Sequence, residues 1–323
     1  MTHAIVMREP GGPEVLKWEE VATPEPGQGE IRIKQSAAGL NYIDCYHRTG
    51  LYPLEYPATI GMEGAGTIDA IGDGVTSLSV GDRVAYASAP PGAYTQSRVI
   101  AADRVVALPY SISEDTGAAM MLQGMTVQYL IRSTYPVKSG DTVLLHAAAG
   151  GVGLIACQWL KQLGATIIGT VGSDEKAELA KSHGCDHTIV YTRENFTDRV
   201  REITNGAGVP VVYDSIGKDT FDGSMDCLAP LGMFVSFGNA SGPLEPFNPG
   251  ILAAKGSLFF TRPSLVHYTA KAKDLQNSAK DLIGAIEKGL KIEINQTYPL
   301  KDAAEAHRAL EARETTGSTI FKT

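Results

Sequence analysis

The sequence predicts an α/β protein in which a doubly wound parallel sheet is set within a β-rich remainder. Three observations carry that prediction. Strand-like and helix-like segments alternate from residue 142 to residue 237. A glycine-rich turn, Ala147-Ala148-Ala149-Gly150-Gly151-Val152-Gly153, joins the first of those strands to the first of those helices. The first 110 residues instead read as short strands separated by turns.

Residues 30–36 (Glu-Ile-Arg-Ile-Lys-Gln-Ser) alternate apolar and polar, the period of a half-buried strand. Gly11-Gly12-Pro13, Pro24-Glu25-Pro26-Gly27, Gly72-Asp73-Gly74 and Gly81-Asp82 mark turns. The texture changes near Tyr110, and residues 118–131 are helix-prone. After Gly140-Asp141 a buried strand is expected over 142–146, a helix over 152–163 and a strand over 166–171. Ser173-Asp174 opens a helix over 174–183, and strands follow at 188–190, 209–213 and 232–237. Strands separated by helices of this length need crossover connections, hence a parallel sheet covered on both faces. Past residue 262, Leu275, Ala279, Leu282, Ile283 and Ile286 form one apolar helix stripe. A short helix is expected from Asp302, whose side chain can cap it, through Ala306 and Leu310. The stretch from Val143 to Leu160 could pass for a membrane helix. His146, its glycines and Gln158 make it two buried elements meeting at a turn.

A chain of 323 residues implies about two domains at roughly 150 residues each. Hydrophobic residues at 43% and charged residues at 20% are ordinary for a globular protein. The net charge of −8 repels phosphate backbones and anionic lipid, so neither nucleic acid nor membrane is an expected partner. Cys45, Cys157, Cys185 and Cys227 show no CxxC spacing, which argues against a disulfide framework or a structural zinc. With no apolar run behind a basic one at the amino terminus, a cytoplasmic location is expected.

The glycine turn approximates G-x-G-x-x-G with Ala148 in the first glycine's place, which demands an ordinary φ there. Such a turn puts a helix N-terminus against a pyrophosphate. Gly150 and Gly151 let the backbone approach the ligand, and Gly153 lets helix and strand pack closely. NAD sites usually carry an acid at the tip of the next strand. Here that strand ends in Gly172-Ser173, and Asp174 and Glu175 arrive late, where acids complement a helix dipole. Lys176 can then face a 2′-phosphate, and NADPH is the expected cofactor.

Taken together, the chain resembles the zinc-independent quinone oxidoreductases, the zeta-crystallin-like branch of the medium-chain dehydrogenase/reductase superfamily. The resemblance runs the length of the chain. It rests on Gly11-Gly12-Pro13-Glu14-Val15-Leu16, Asn41-Tyr42-Ile43-Asp44-Cys45-Tyr46, Gly50-Leu51-Tyr52-Pro53, Gly81-Asp82-Arg83-Val84 and the 147–153 turn. Val212-Tyr213-Asp214-Ser215-Ile216-Gly217, Ser236-Phe237-Gly238-Asn239 and Thr261-Arg262-Pro263-Ser264 complete it. It implies a Rossmann domain (126–261) inserted in a GroES-like catalytic domain (1–125 plus 262–323), with the cofactor in the cleft between them. It also implies a homodimer.

Zinc-dependent relatives place a Cys where Asn41 stands and a His where Met62 stands, so no metal is expected. Glu63 remains, as a structural hydrogen-bonding residue. By resemblance, Asn41, Asp44 and Tyr46 lie beside the nicotinamide with Tyr129 nearby, and Gly151 and Val152 meet the pyrophosphate. Gly172, Ser173, Lys176 and Tyr191 hold the 2′-phosphate end, while Ser215, Phe237 and Gly238 line the nicotinamide side. Tyr46 and Tyr52 wall the quinone pocket, and Tyr52 occupies the place of a proton donor in related enoyl-thioester reductases. His47 and His146 read as structural. The expected activity is NADPH-dependent reduction of a small quinone. An enoyl-thioester reductase and a non-enzymatic NADPH-binding protein, crystallin-like or RNA-binding, remain the alternatives.

Overall fold

A computed structural model describes residues 1–87 and 90–323. The chain divides into two compact units. One comprises Met1–Met125, Tyr268–Glu287 and Ile292–Thr323, and the other Thr126–His267 and Lys288–Lys291.

The first unit opens with β1 (Thr2–Val6), which pairs antiparallel with β2 (Lys17–Val21). β3 (Glu30–Leu40), α1 (Tyr42–Thr49), β4 (Glu63–Ile71), β5 (Arg83–Ala87), β6 (Ser97–Ala101), β7 (Val106–Ala107) and α2 (Glu114–Tyr129) follow. In the second unit come β8 (Thr142–Leu145), α3 (Gly151–Gln162), β9 (Thr166–Val171), α4 (Asp174–Ser182), β10 (His187–Val190) and α5 (Phe196–Ile203). Next are β11 (Val209–Asp214), α6 (Phe221–Cys227), β12 (Leu228–Ser236), α7 (Gly250–Ala254), β13 (Phe259–Thr261) and α8 (Leu265–Tyr268). α9 (Ala272–Glu287), β14 (Ile294–Pro299), α10 (Ala303–Glu311) and β15 (Ser318–Lys322) then rejoin the first unit.

β3 organises the first unit's seven-stranded sheet, ordered β14-β15-β3-β4-β5-β7, with β6 also paired to β3. The expected alternation holds at its start, where Ile31 and Ile33 are buried. From Ala37 to Leu40 every residue is buried. Ile31, Ile33, Ile68, Val84, Tyr94 and Phe321 share one core. Burying such side chains stabilises by about 1.5–3 kcal/mol each.

The second unit holds a wholly parallel six-stranded sheet ordered β10-β9-β8-β11-β12-β13. Counted from β8, this is the 3-2-1-4-5-6 order of a doubly wound sheet, whose strand order reverses between β8 and β11. Ligands bind outside the carboxyl ends of the strands at such a reversal. The strands expected at 142–146, 166–171, 188–190 and 209–213 correspond to β8, β9, β10 and β11.

Local expectations fail where backbone irregularity intervenes. β12 starts at Leu228 rather than 232, because Leu231 adopts a left-handed φ of 62° and the strand bulges. The helix ends at Tyr129 and widens into a π-helical turn, Leu130–Thr134. The Asp302 side chain does not cap α10. The chain enters that helix from a 3-10 turn, Leu300–Asp302, so Asp302 lacks the extended backbone that aims a cap.

Candidate active site

In the first unit the site grows from the junction of β3 and α1. Asn41 is the extended N-cap of α1, and the Asp44 carboxylate reaches back to accept the Asn41 backbone N–H at 2.9 Å. The same oxygen, Oδ2, accepts the Tyr94 hydroxyl at 2.9 Å. Asp44 is wholly buried, and its Oδ1 has no hydrogen-bond partner among the described residues. Burial pushes its pKa up to about 7, against the pull of Asn41 and Tyr94.

The direction of the Tyr94 hydrogen bond follows from His307. Arg48 Nη1 lies 3.4 Å from His307 Nδ1, and a guanidinium only donates. Nδ1 therefore accepts, the ring proton sits on Nε2 and faces Tyr94 Oη at 3.1 Å, and the hydroxyl points to Asp44. Burial, with Arg48 beside it, lowers the His307 pKa to about 3, so the ring is neutral. A bidentate pair from Arg48 to Glu311, at 2.9 and 2.6 Å, ties α1 to α10.

Asn41 is fixed at both ends of its side-chain amide. Nδ2 donates to Glu63 Oε2 at 2.7 Å, and Oδ1 accepts from Gln123 Nε2 at 3.1 Å. Gln123 accepts in turn from the Ser318 hydroxyl at 2.8 Å. Glu63 Oε1 accepts the Leu122 backbone N–H at 2.8 Å, and burial pushes its pKa up to about 8. Among the described residues, no cluster of His, Cys, Asp or Glu could hold a metal ion.

Gly50, left-handed at φ 80°, ends α1 and turns the chain so that the Tyr52 N–H meets the Tyr46 carbonyl at 3.0 Å. The two rings meet edge to face with centroids 5.3 Å apart, Tyr46 buried and Tyr52 half-buried. His47, buried behind Tyr52, has its pKa lowered to about 4 by burial.

In the second unit the expected cofactor residues lie at the carboxyl ends of the parallel strands. After β8 the left-handed residue is Ala147, at φ 55°, not Ala148. Gly150 donates its N–H to the Ala147 carbonyl at 3.0 Å, closing the turn that starts α3. Gly151 and Val152 begin that helix, where the first backbone N–H groups have no intrahelical acceptor. The Ala148 methyl is accommodated across the sheet by Gly169: a Cβ at 169 would lie 2.7 Å from it.

After β9, the Ser173 hydroxyl caps α4 by accepting the Lys176 N–H at 3.3 Å. A Cβ on Gly172 would lie 2.9 Å from the Tyr191 hydroxyl, so the missing side chain makes room for that phenol. Arg193, which sequence reasoning did not single out, forks onto Asp174 at 2.7 and 2.6 Å. After β11, Asp214 Oδ1 accepts the N–H groups of Ile216 and Gly217 at 2.8 and 2.9 Å and shapes the turn carrying Ser215. Gly238 packs onto that turn, since a Cβ there would lie 2.9 Å from Ser215 Cα, and Phe237 donates to the Asp214 carbonyl at 2.7 Å. Tyr129 is buried at the end of α2, just before the π turn that the Tyr213 hydroxyl holds through the Leu130 carbonyl.

His146, Ser224 and Asp214 could suggest a hydrolytic triad, but all are buried. Ser224 donates to Asp214 Oδ2 at 3.1 Å and lies 2.8 Å from His146 Nε2, while His146 Nδ1 meets Thr170 at 2.9 Å. Burial lowers the His146 pKa, and the neutral ring braces the ends of β8, β9 and α6.

A β-rich unit paired with a 3-2-1-4-5-6 sheet and its glycine turn defines a medium-chain dehydrogenase/reductase. The family model described as "Alcohol dehydrogenase GroES-like domain" matches residues 27–134, and "Zinc-binding dehydrogenase" matches residues 151–283. A quinone oxidoreductase of Pseudomonas aeruginosa is 54% identical over 96% of each chain. The quinone oxidoreductase of Escherichia coli, solved in complex with NADPH, is 46% identical, with a TM-score of 0.98 over 99% of this chain and 100% of that one. A 2-haloacrylate reductase of Burkholderia is 45% identical over 99% of each. The chain belongs to the quinone oxidoreductase family of the medium-chain dehydrogenase/reductases.

Proposed function

We propose that the protein reduces quinones with NADPH and without a metal. The observation that carries this reading is the turn after β9, where Gly172 and Ser173 replace the ribose-binding acid and Lys176 and Tyr191 flank the gap. The residues fit the cofactor: Gly172 lets the Tyr191 phenol pack against the β9 turn where no acid stands, and α3 begins with Gly151 and Val152 at the strand-order reversal. NADPH, when bound, supplies the hydride. Gly151 and Val152 would hold the pyrophosphate, and Lys176, Ser173 and Tyr191 the 2′-phosphate. Ser215, Phe237 and Gly238 would orient the nicotinamide.

Asn41, gripped by Glu63 and Gln123, and Tyr46, set on a helix anchored through Asp44 and Arg48, are the fixed side chains of the first unit that would stand beside the reacting rings. Positioning and exclusion of water are the contributions a protein can make to this chemistry.

A second reading, reduction of an activated carbon–carbon double bond, is favoured by the likeness to the 2-haloacrylate reductase. Steady-state turnover with NADPH against a panel of quinones, 2-haloacrylates and enoyl thioesters separates the two. The first reading expects the highest kcat/KM on a quinone, and quinone rates below those on every alkene would overturn it.

A homodimer is part of the proposal. β13 is an edge strand, and Phe259 and Leu231 near it are 56% and 68% exposed, an apolar edge suited to pairing with its own copy. A concentration-independent monomer mass in sedimentation would refute it. Among the described residues no helix is long and apolar enough to cross a membrane. The four cysteines are free and buried, which supports the cytoplasm as the place of action.

A further inference from the structure

The loop after β10 runs alongside the loop after β9 and extends their pairing beyond the strand ends. Tyr191 donates its N–H to the Val171 carbonyl at 3.1 Å, and the Thr192 hydroxyl donates to the Gly172 carbonyl at 3.3 Å. Arg193 then closes on Asp174 with both nitrogens of its fork. Asp174 is the acid nearest the turn proposed to receive the 2′-phosphate, and it stands two residues from Lys176 on the same helix. Its pKa is held below the usual carboxylate range by the Arg193 hydrogen bonds, so it is ionised at neutral pH. Left bare, that charge would oppose a dianionic phosphate and offer an acceptor to a ribose hydroxyl. Glu175, the other acid of this turn, bonds to its own backbone N–H and to the Ser173 hydroxyl.

We propose that Arg193 is a specificity-determining residue that favours NADPH over NADH by masking Asp174. A planar guanidinium engages both carboxylate oxygens at once, which a lysine cannot do, offsets the acid's charge and occupies one lone pair on each oxygen that would otherwise face the ribose. The inference rests on the reading that the β9 turn receives the 2′-phosphate, with Lys176 as its cation.

Dissociation constants for NADPH and NADH, measured by fluorescence titration without quinone, test it. Arg193→Gln should weaken NADPH by about tenfold, the scale of one uncovered surface charge facing a dianion several ångströms away. NADH binding should hold or tighten, and the NADPH loss should shrink as salt is raised. Asp174→Asn alone should not weaken NADPH. The Asp174→Asn, Arg193→Gln double variant, whose pair is uncharged overall as in the unaltered protein, should bind NADPH within about threefold of the unaltered protein, because nothing remains to be masked. A double variant as weak as Arg193→Gln would overturn masking and make Arg193 a direct phosphate ligand. An Arg193→Gln protein with unchanged affinities would overturn the inference outright. Lys176→Ala is the separate arm: if it leaves the NADPH-to-NADH ratio intact, the cofactor reading itself fails. Arg193 and Asp174 are both exposed, so these variants should fold, which a thermal melt confirms.

Discussion

Asn41 and Glu63 share a buried 2.7 Å hydrogen bond that joins the start of α1 to the start of β4. The Glu63 carboxylate accepts from the Asn41 amide and from the backbone N–H of Leu122. Removing the carboxylate orphans both. Glu63→Ala should therefore cost about 2–5 kcal/mol of stability, since each unsatisfied buried donor costs about 1–3 kcal/mol and a cavity adds to it. Urea unfolding measures this, and a loss under about 1 kcal/mol would show that Asn41 has other support.

The buried titrating groups predict a pH profile. Asp44 (ordinarily 3.8, raised to about 7) and Glu63 (4.5, raised to about 8) bind more protons folded than unfolded. Their contribution is present at low pH and lost as pH rises through 7 and 8. His307 and His47, lowered from 6.5 to about 3 and about 4, do the reverse and lose stability as pH falls below 6.5. Between about pH 4.5 and 6.5 the acids' decline is offset by the rise from these two histidines and from His146, whose pKa burial also lowers, so stability does not fall there. Above that only the acids act, so stability should decline from pH 6.5 to 8. Asp44→Asn keeps an acceptor for Asn41 and Tyr94 and should steepen the slope in that region by up to about 1.4 kcal/mol per pH unit. Unfolding free energies at half-unit steps decide it; a flat profile in both proteins through pH 8 would refute it.

Much of this geometry was legible in the sequence, and the part that was not has a common cause. The glycine turn and the strands around it were readable because their signals are local: apolar runs, glycine spacing and a serine cap. The grip on Asn41 is assembled from Glu63, Gln123 and Ser318, which are remote in the chain and meet only when β3, β4, α2 and β15 pack. Arg193 was missed because its partner opens the helix that follows the neighbouring strand, 19 residues earlier in the chain, and a surface arginine carries no local mark. Asp302 misled in the opposite way: a good capping residue type, placed on a backbone that cannot use it.

The turn after β8 gives a sharper test of close packing. A Cβ on Gly153 would lie 2.6 Å from the Ala148 carbonyl carbon, and backbone there cannot yield as a side chain could. Gly153→Ala should cost about 1–3 kcal/mol and weaken NADPH, because α3 must move away from the strand that aims it. Ala147→Gly should go the other way, gaining up to about 1 kcal/mol by relieving a left-handed alanine. Calorimetric midpoints on the two variants check both signs.

Cofactor preference supplies a fourth test. Lys176 follows the Ser173 cap, beside the turn proposed to receive the 2′-phosphate. Lys176→Ala should erode the NADPH preference in kcat/KM by about 1–3 kcal/mol, the scale of a charge-assisted contact. Equal kcat/KM for the two cofactors in the unaltered protein would contradict the proposed site.

Tyr52 discriminates the two reductase readings. Reducing an alkene places a hydride on one carbon and requires a proton at its neighbour, so a positioned phenol would contribute about 10²–10⁴-fold. Quinone reduction puts charge on oxygens that water can protonate, and a phenol there mainly orients the ring. Tyr52 meets the buried Tyr46 edge to face at 5.3 Å, a contact that phenylalanine keeps. Tyr52→Phe should therefore change quinone turnover by less than about tenfold, below the general-acid range. The effect should fall mainly on KM, since apolar contact survives while one hydrogen bond is lost. Measuring kcat and KM on quinones and activated alkenes in both proteins separates the roles. A hundredfold fall in kcat on an alkene that the unaltered protein turns over well would make Tyr52 a proton donor and favour the alkene reading.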